Sequence, residues 1–126
     1  MSVSPSDFGA FAEKLVSSID EIDLRNAASR SYYAAYHLCQ TIMNRCPKND
    51  HLAMGSHERL SERLKLQGTI DARSLQYILL SMKRIRTMAD YEISDPFPSR
   101  DASAQVSQLK NFETKIGLFA EKFPPL

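Results

Sequence analysis

The amino-acid sequence predicts an all-α protein: an antiparallel up-and-down bundle of four to five helices, in one domain that spans residues 1–126. Apolar residues recur at helical spacing in five segments. No segment shows the strict alternation of a half-buried strand. A length of 126 residues suits one compact domain. The hydrophobic share of 43% and the charged share of 25% are those of a globular chain and exclude wholesale disorder.

The first two helices are marked by capping residues and by an acidic joint between them. The segment Ser4-Pro5-Ser6-Asp7 supplies a capping serine, a proline at the first helical position and an acid at the third. The joint Asp20–Asp23 ends the first helix and favours the next, because acidic groups stabilise a helix N-terminus. We expect the second helix to run from about Leu24 to Cys46 and to stop at Pro47. The apolar stripes are Phe8, Phe11, Ala12, Leu15 and Ile19, then Leu24, Ala27, Ala28, Ala35, Leu38 and Ile42.

Three further helices follow a loop over residues 47–55, which contains proline, Asn-Asp and glycine. We expect the third helix over Ser56–Leu66, with Ser56 as its cap and Gly68 just past its end. The fourth begins near Asp71 and is stopped by the proline-rich segment 95–98, while the fifth frays at residues 124–125. Their apolar faces are Leu75, Ile78, Leu79, Met82, Ile85, Ala89 and Ile93, then Val106, Leu109, Phe112, Ile116, Phe119 and Phe123.

Charge, targeting signals and cysteines narrow the class of protein. The formal net charge of +1 gives no reason to expect bulk attraction to nucleic acid or membrane, although the stretch Arg59–Arg86 holds seven basic and two acidic residues. No signal peptide and no apolar stretch of about 20 residues is present, which predicts a cytoplasmic protein without a membrane partner. Cys39 and Cys46, two helical turns or about 10.5 Å apart, are too distant for a disulfide. No Cys/His cluster has metal-site spacing, so we predict neither a metal nor a cofactor.

Arg30 and His37 are the first candidate catalytic residues. Positions seven apart on a helix differ by about 20°, so both side chains project from one face, with Tyr33 between them. A guanidinium stabilises charge on a phosphate, and an imidazole moves a proton near neutral pH. The pair therefore suits metal-free cleavage of RNA, in which the 2′-hydroxyl attacks the adjacent phosphorus. The alternative interpretation is a merely solvated helix edge.

Arg86 is the second candidate, with Asp90 as its partner. It falls within the apolar stripe of the fourth helix, where an unpaired guanidinium is costly to bury. Asp90 lies one turn further along the same helix and can pair with it. The pair is either buried to fix helix register, or it faces a polar cleft shared with the second helix.

Aromatic and basic side chains supply candidate binding residues. Tyr32, Tyr33 and Tyr36 either stack on bases or pack the bundle. Arg84, in the basic stretch, and His57, in the first turn of the third helix, are candidates of the same kind. Both positions are also typical of ordinary solvated helix faces.

Two segments carry a resemblance to a known family. The run ASRSYYAAYH, residues 28–37, resembles the helix signature of HEPN domains, named for "higher eukaryotes and prokaryotes nucleotide-binding". The run RTMADY, which ends at Tyr91, is similar to the second signature of a bacterial and archaeal branch whose members stand alone. His57 ahead of a short helix fits that branch loosely. The order and spacing extend the resemblance over roughly residues 7–123.

The resemblance implies a helical bundle, often a homodimer, that targets RNA or a nucleotide. Many members are RNases that act in toxin–antitoxin or antiviral defence systems, often beside a small nucleotidyltransferase antitoxin. Their usual active-site motif is an arginine, four to six residues and a histidine, which Arg30 and His37 satisfy. In the family that motif usually lies on a late helix. On the corresponding helix of this chain, Arg86 is followed by four residues and then by Tyr91, where the motif would have histidine.

Two functions therefore stay open. In the first, the chain is a metal-independent endoribonuclease: Arg30 contacts phosphate, His37 is the general acid/base, and Arg86 with Asp90 orients them. In the second, the chain is a non-catalytic bundle that binds a nucleotide, RNA or a partner protein. The residues assigned to binding in either case are Tyr33, His57, Arg84 and Tyr91.

Overall fold

A computed structural model describes residues 2–45 and 55–122, and every regular element in these ranges is a helix. The predicted all-α helical bundle is confirmed. Predictions that involve Cys46, the loop at residues 47–54, Phe123 and the prolines at 124–125 lie outside the described residues. The helices are α1 (Pro5–Leu15), α2 (Glu21–Met43), α3 (Ser56–Leu66), α4 (Ile70–Tyr91) and α5 (Ser99–Ala120).

Helix α2 is the centre of the bundle and touches each of the other four helices. Its buried face is rich in alanine, which lets neighbouring helices approach closely; these residues are Ala27, Ala28, Ala34 and Ala35. The larger core side chains come mainly from α4 and α5 and include Leu75, Met82, Phe112, Ile116 and Phe119. Burial of this apolar surface is the main force that holds the helices together.

Helix ends differ from the sequence prediction in α1, α2, α3 and α4. α1 ends at Leu15, so Ile19 is 96% exposed where we expected a core position. Ser18 explains this end: its hydroxyl bonds the carboxylate of Asp23 (2.7 Å) and accepts from the amide of Asp20 (3.1 Å). Side-chain bonds of this kind compete with a helical backbone.

α2 begins at Glu21, three residues before the expected Leu24, and its last helical residue is Met43, three residues before the expected Cys46. The remaining differences lie in α3 and α4. α3 is capped by Gly55 instead of Ser56, because the Glu58 carboxylate accepts the Gly55 amide at 2.9 Å. α4 stops at Tyr91, before the proline-rich segment, and leaves Ile93 exposed outside the core.

Arg25 explains why α4 stops where it does. This buried side chain of α2 donates to the backbone carbonyl oxygens of Ala89 (2.9 Å), Glu92 (3.3 Å) and Met88 (3.4 Å), and to that of Asp95. The last carbonyls of a helix have no partner inside the helix. We call this set of bonds the Arg25 clamp; it satisfies the end of α4 and the turn that follows.

The clamp is completed by Glu21 at the start of α2. The Glu21 carboxylate pairs with the Arg25 guanidinium (3.6 Å) and accepts the amide of Phe97 (2.7 Å). The Phe97 ring is buried, with its centroid 5.6 Å from the Arg25 guanidinium carbon. The first turn of α2 thereby fixes the connection between α4 and α5.

Gln105 of α5 performs a similar role in the middle of the bundle. Its buried side-chain nitrogen donates to the carbonyl oxygen of Met82 on α4 (2.7 Å) and to that of Ala28 on α2 (3.4 Å). These two carbonyls lie one turn before Arg86 and Tyr32. The amide of Gln105 thus sets the height of α2 against α4 beside the residues discussed below.

No helix in the described part of the chain is long and apolar enough to cross a membrane.

We expect Arg25→Lys to lower the free energy of unfolding by about 2 kcal/mol, because one ammonium cannot replace a planar fork of donors to several carbonyls. Urea unfolding followed by circular dichroism measures this. Arg100→Lys, an exposed arginine of α5, should change stability by less than about 0.5 kcal/mol. Equal effects of the two substitutions would show that the clamp does not stabilise the fold.

Candidate functional site

Residues 28–37 on α2 and residues 86–91 on α4 pack against each other. Arg86, on the inner face of α4, is only 7% exposed. One nitrogen of its guanidinium lies 3.6 Å from a carboxylate oxygen of Asp90, so the ion pair predicted from the spacing is present. The same carboxylate oxygen accepts a hydrogen bond from the Ser29 hydroxyl of α2 at 3.2 Å. Asp90 thus joins the two helices.

Three tyrosine rings surround the Arg86 guanidinium. Its carbon lies 5.4 Å from the ring centroid of Tyr32, 5.6 Å from that of Tyr33 and 5.8 Å from that of Tyr91. The Nε atom is buried and has no hydrogen-bond partner among the described residues. A guanidinium keeps its charge under all physiological conditions, and aromatic faces stabilise such a cation when it is desolvated. The rings therefore compensate in part for the missing hydration.

The Tyr32 hydroxyl connects Arg86 to His57 on α3. The hydroxyl oxygen lies 2.6 Å from Nδ1 of His57, and the two rings stack with centroids 5.6 Å apart. Burial raises the pKa of Tyr32, an effect that the nearby Arg86 charge opposes, so the phenol stays protonated. A protonated phenol both donates and accepts, and the His57 ring can therefore hold its proton on either nitrogen.

His57 itself is held in its neutral form. Burial lowers its pKa below the usual value of 6.5, and the charges of Lys83 and Arg86 lower it further, while Glu58 acts in the opposite direction. A neutral imidazole with a free ring nitrogen accepts a proton at neutral pH. The interpretation of His57 as an ordinary surface histidine is therefore wrong: the residue is half-buried and hydrogen-bonded.

Arg30, Tyr33 and His37 share one face of α2, as the spacing predicted, but that face is not simply solvated. The Phe8 ring of α1 packs on both ends of the row, 5.9 Å from the Arg30 guanidinium carbon and 5.2 Å from the His37 ring centroid. Tyr33 lies between them, 5.5 Å from Arg30 and 6.2 Å from His37. Helix α1 thus forms one wall of the site.

The two histidines meet at the same pair of tyrosines, although they are 20 residues apart in the sequence. Both ring centroids lie about equally far from Tyr33, at 6.2 Å for His37 and 6.1 Å for His57. Their distances to Tyr36 are 5.2 Å and 4.6 Å. Two imidazoles around one aromatic pair, with the Arg30 and Arg86 guanidinium groups on Tyr33, are the central arrangement of the candidate site.

Two predicted site residues stay outside this arrangement. Arg84 is exposed on the outer side of α4 and makes no hydrogen bond, ion pair or ring contact with another candidate among the described residues. Tyr91 is 70% exposed, and within residues 2–45 and 55–122 its contact with the site is the one with Arg86.

A cleft of about 340 Å³ opens beside His57, between α3 and α4. Sequence reasoning missed this cleft, its lining residue Lys83 and the bond between the Tyr32 hydroxyl and His57. The sequence holds only a weak signal for these features, because the loop before α3 does not determine where α3 packs on the bundle. The lining residues are His57, Glu58, Ser61, Glu62, Gln76, Leu80 and Lys83.

Within residues 2–45 and 55–122, no three His, Cys, Asp or Glu side chains are grouped so that they could hold a metal ion. Comparison of the chain with protein-family models, curated proteins and solved structures gave no match.

We expect Arg86→Ala to lower the free energy of unfolding by about 3 kcal/mol, because it opens a cavity among the tyrosines and leaves Asp90 without its cation. Arg86→Met should cost clearly less, since it refills that volume and Asp90, 31% exposed at its side chain, keeps Ser29 and solvent as partners. Urea unfolding of both variants tests this. Arg84→Ala, on the exposed side of the same helix, is the control. Equal losses for the alanine and methionine variants would contradict the packing role.

The pKa of His57 should rise in Lys83→Met and fall in Glu58→Gln, since the first removes a charge that lowers it and the second one that raises it. Titration of the imidazole protons by NMR measures both shifts. With a depressed native pKa, the contribution of His57 to stability is complete above its unfolded pKa and is lost as the pH falls through the native value. Shifts of the same sign in the two variants would contradict this electrostatic description.

Proposed function

We propose that this chain is an RNA-targeting protein of the HEPN-like kind and that it cleaves RNA without a metal ion. The observation that carries the proposal is the meeting of His37 and His57 at one tyrosine pair, beside two guanidinium groups. Metal-independent RNA cleavage needs a base, an acid and cationic groups that stabilise the charge of the phosphate. All three kinds of group are present at this place.

The proposed reaction is an internal transesterification. His57, neutral because its pKa is lowered, takes the proton of a ribose 2′-hydroxyl, whose oxygen then attacks the adjacent phosphorus. The bond from phosphorus to the 5′-oxygen breaks, and His37 gives that oxygen a proton. The products are a 2′,3′-cyclic phosphate and a 5′-hydroxyl. His37 thus keeps the acid/base role that the sequence predicted, now shared with a second histidine.

The two arginines have different roles in this proposal. Arg30 is half-buried and has no ion pair among the described residues, so its guanidinium is suited to contact the phosphate. Arg86 is buried and already paired with Asp90. It acts as a positioning residue, because its contacts with Tyr32 and Tyr33 fix the rings on which both histidines pack.

A non-catalytic bundle that binds a nucleotide, RNA or a partner protein is the second candidate. Tyr91 favours it, since this exposed phenol occupies the place where the late-helix motif of the family has its catalytic histidine. The remaining expectations from the resemblance belong to the same proposal. They are a homodimer, a cytoplasmic location, a role in a toxin–antitoxin or defence system, and a nucleotidyltransferase antitoxin as partner.

His37→Ala and His57→Ala should each lower the rate of RNA cleavage by about 10²- to 10⁴-fold, the usual effect of losing a general acid or base. The assay uses purified protein and total RNA in EDTA, with circular dichroism to check that each variant is folded. His51→Ala is the matched control, because no step of the reaction uses this third histidine of the chain.

Two results would contradict the proposal in different ways. Intact RNA with the wild-type protein would reject the nuclease and leave the binding bundle. Wild-type cleavage by both histidine variants, together with a folded but inactive Arg86→Met, would place the active site on α4 instead.

A further inference from the structure

Helix α4 presents a long exposed side that the proposed reaction does not use. Positions 73, 77, 80, 84, 87 and 91 fall within about 80° around the helix axis, opposite the buried residues Leu75, Met82 and Arg86. Every side chain at these positions is exposed, with Tyr77 at 74% and Tyr91 at 70%. We call this surface the outer face of α4; it comprises Arg73, Tyr77, Leu80, Arg84, Thr87 and Tyr91.

All the charged residues of the outer face are positive. No acidic residue occurs between Asp71 and Asp90, a stretch that contains four arginines and lysines. Two of them, Arg73 and Arg84, lie on the outer face, and neither side chain has a hydrogen bond or ion pair among the described residues. Cations without partners attract an anionic ligand, while exposed aromatic rings at Tyr77 and Tyr91 offer flat surfaces for stacking.

The outer face is continuous with the candidate site. Leu80 lines the cleft beside His57, together with Lys83. At the other end, the Tyr91 ring lies 5.8 Å from the guanidinium carbon of Arg86. A ligand that follows the outer face therefore passes the mouth of the cleft that His57 lines.

We propose that the outer face of α4 binds single-stranded RNA on either side of the bond to be cleaved. Phosphates lie at Arg73 and Arg84, and unpaired bases stack on Tyr77 and Tyr91. The rise from Arg73 to Tyr91 is about 27 Å, long enough for the ~4 nucleotides at the lower end of known single-strand site sizes. This inference rests on the proposed function, because it takes RNA as the ligand.

Charge and ring exposure favour this ligand over the alternatives. A second copy of the chain would bring two positively charged faces together, with no acidic residue on the outer face to pair with Arg73 or Arg84. A base-paired duplex hides its base faces inside the stack and would leave Tyr77 and Tyr91 without contacts. A single strand satisfies both the cations and the rings.

The test measures binding separately from cleavage. The probe is a labelled 12-nucleotide RNA with 2′-O-methyl groups, which cannot be cleaved because its 2′-oxygen has no proton to lose. Fluorescence anisotropy gives its dissociation constant at several salt concentrations, with a blunt duplex of the same sequence for comparison. The variants are Tyr77→Ala and Arg84→Gln, and the matched controls are Phe11→Ala on α1 and Arg100→Gln on α5, each at an exposed position.

We expect Tyr77→Ala to weaken binding of the single strand by about 5- to 50-fold, the scale of one lost stacking contact. Arg84→Gln should weaken it and reduce the salt dependence by about one phosphate contact. The controls should bind as the wild type does, and the duplex should bind more weakly than the single strand.

Unchanged affinity in both variants, or equal affinity for the duplex, would overturn the inference. So would a dimer in sedimentation at micromolar concentration that Tyr77→Ala dissociates, because a second copy would then cover the outer face. These binding results do not test the proposed cleavage reaction, which the EDTA assay tests separately. Conversely, weakened binding in Tyr77→Ala with a wild-type protein that leaves RNA intact would support the outer face and reject the cleavage reaction.

Discussion

The permanent charge of Arg86 is the constraint around which the site is built. An arginine cannot neutralise itself by losing a proton, so its burial on the inner face of α4 must be compensated by its surroundings. Asp90 supplies the opposite charge, and the rings of Tyr32 and Tyr33 supply aromatic faces from α2. Small relative shifts of the two helices would break these contacts, so Arg86 and Gln105 together fix the register of α2 against α4.

The same contacts explain how three further helices reach the site. Tyr32, held against Arg86, offers its hydroxyl to His57 and so fixes the first turn of α3. Tyr33 lies beside Arg30 and His37, and the Phe8 ring of α1 packs against both of these side chains. Gln105 of α5 bonds the carbonyls one turn before Tyr32 and Arg86. Side chains from all five helices thus hold this polar site in place.

Features within one helix could be predicted from the sequence, and features between helices could not. The shared face of Arg30 and His37 and the pairing of Arg86 with Asp90 follow from the helical repeat alone. The bond between Tyr32 and His57 depends on how α3 crosses α2. The spacing of apolar residues within a helix gives no information on that crossing. Ile19 and Ile93 were assigned to the core because they continue an apolar pattern beyond the point where the helix ends. Side chains such as Ser18 and Arg25, which bond the backbone, decide those ends.

The Arg25 clamp has a consequence for the order in which the chain can become native. Its bond to the carbonyl of Asp95 spans 70 residues, more than half of the sequence. A contact of this range closes a large loop and loses chain entropy that local helical bonds do not. While the protein is being synthesised, the guanidinium of Arg25 has none of these carbonyls available until the end of α4 has left the ribosome. The first half of α2 is thus made early, yet it reaches its final environment only after most of the chain has been translated.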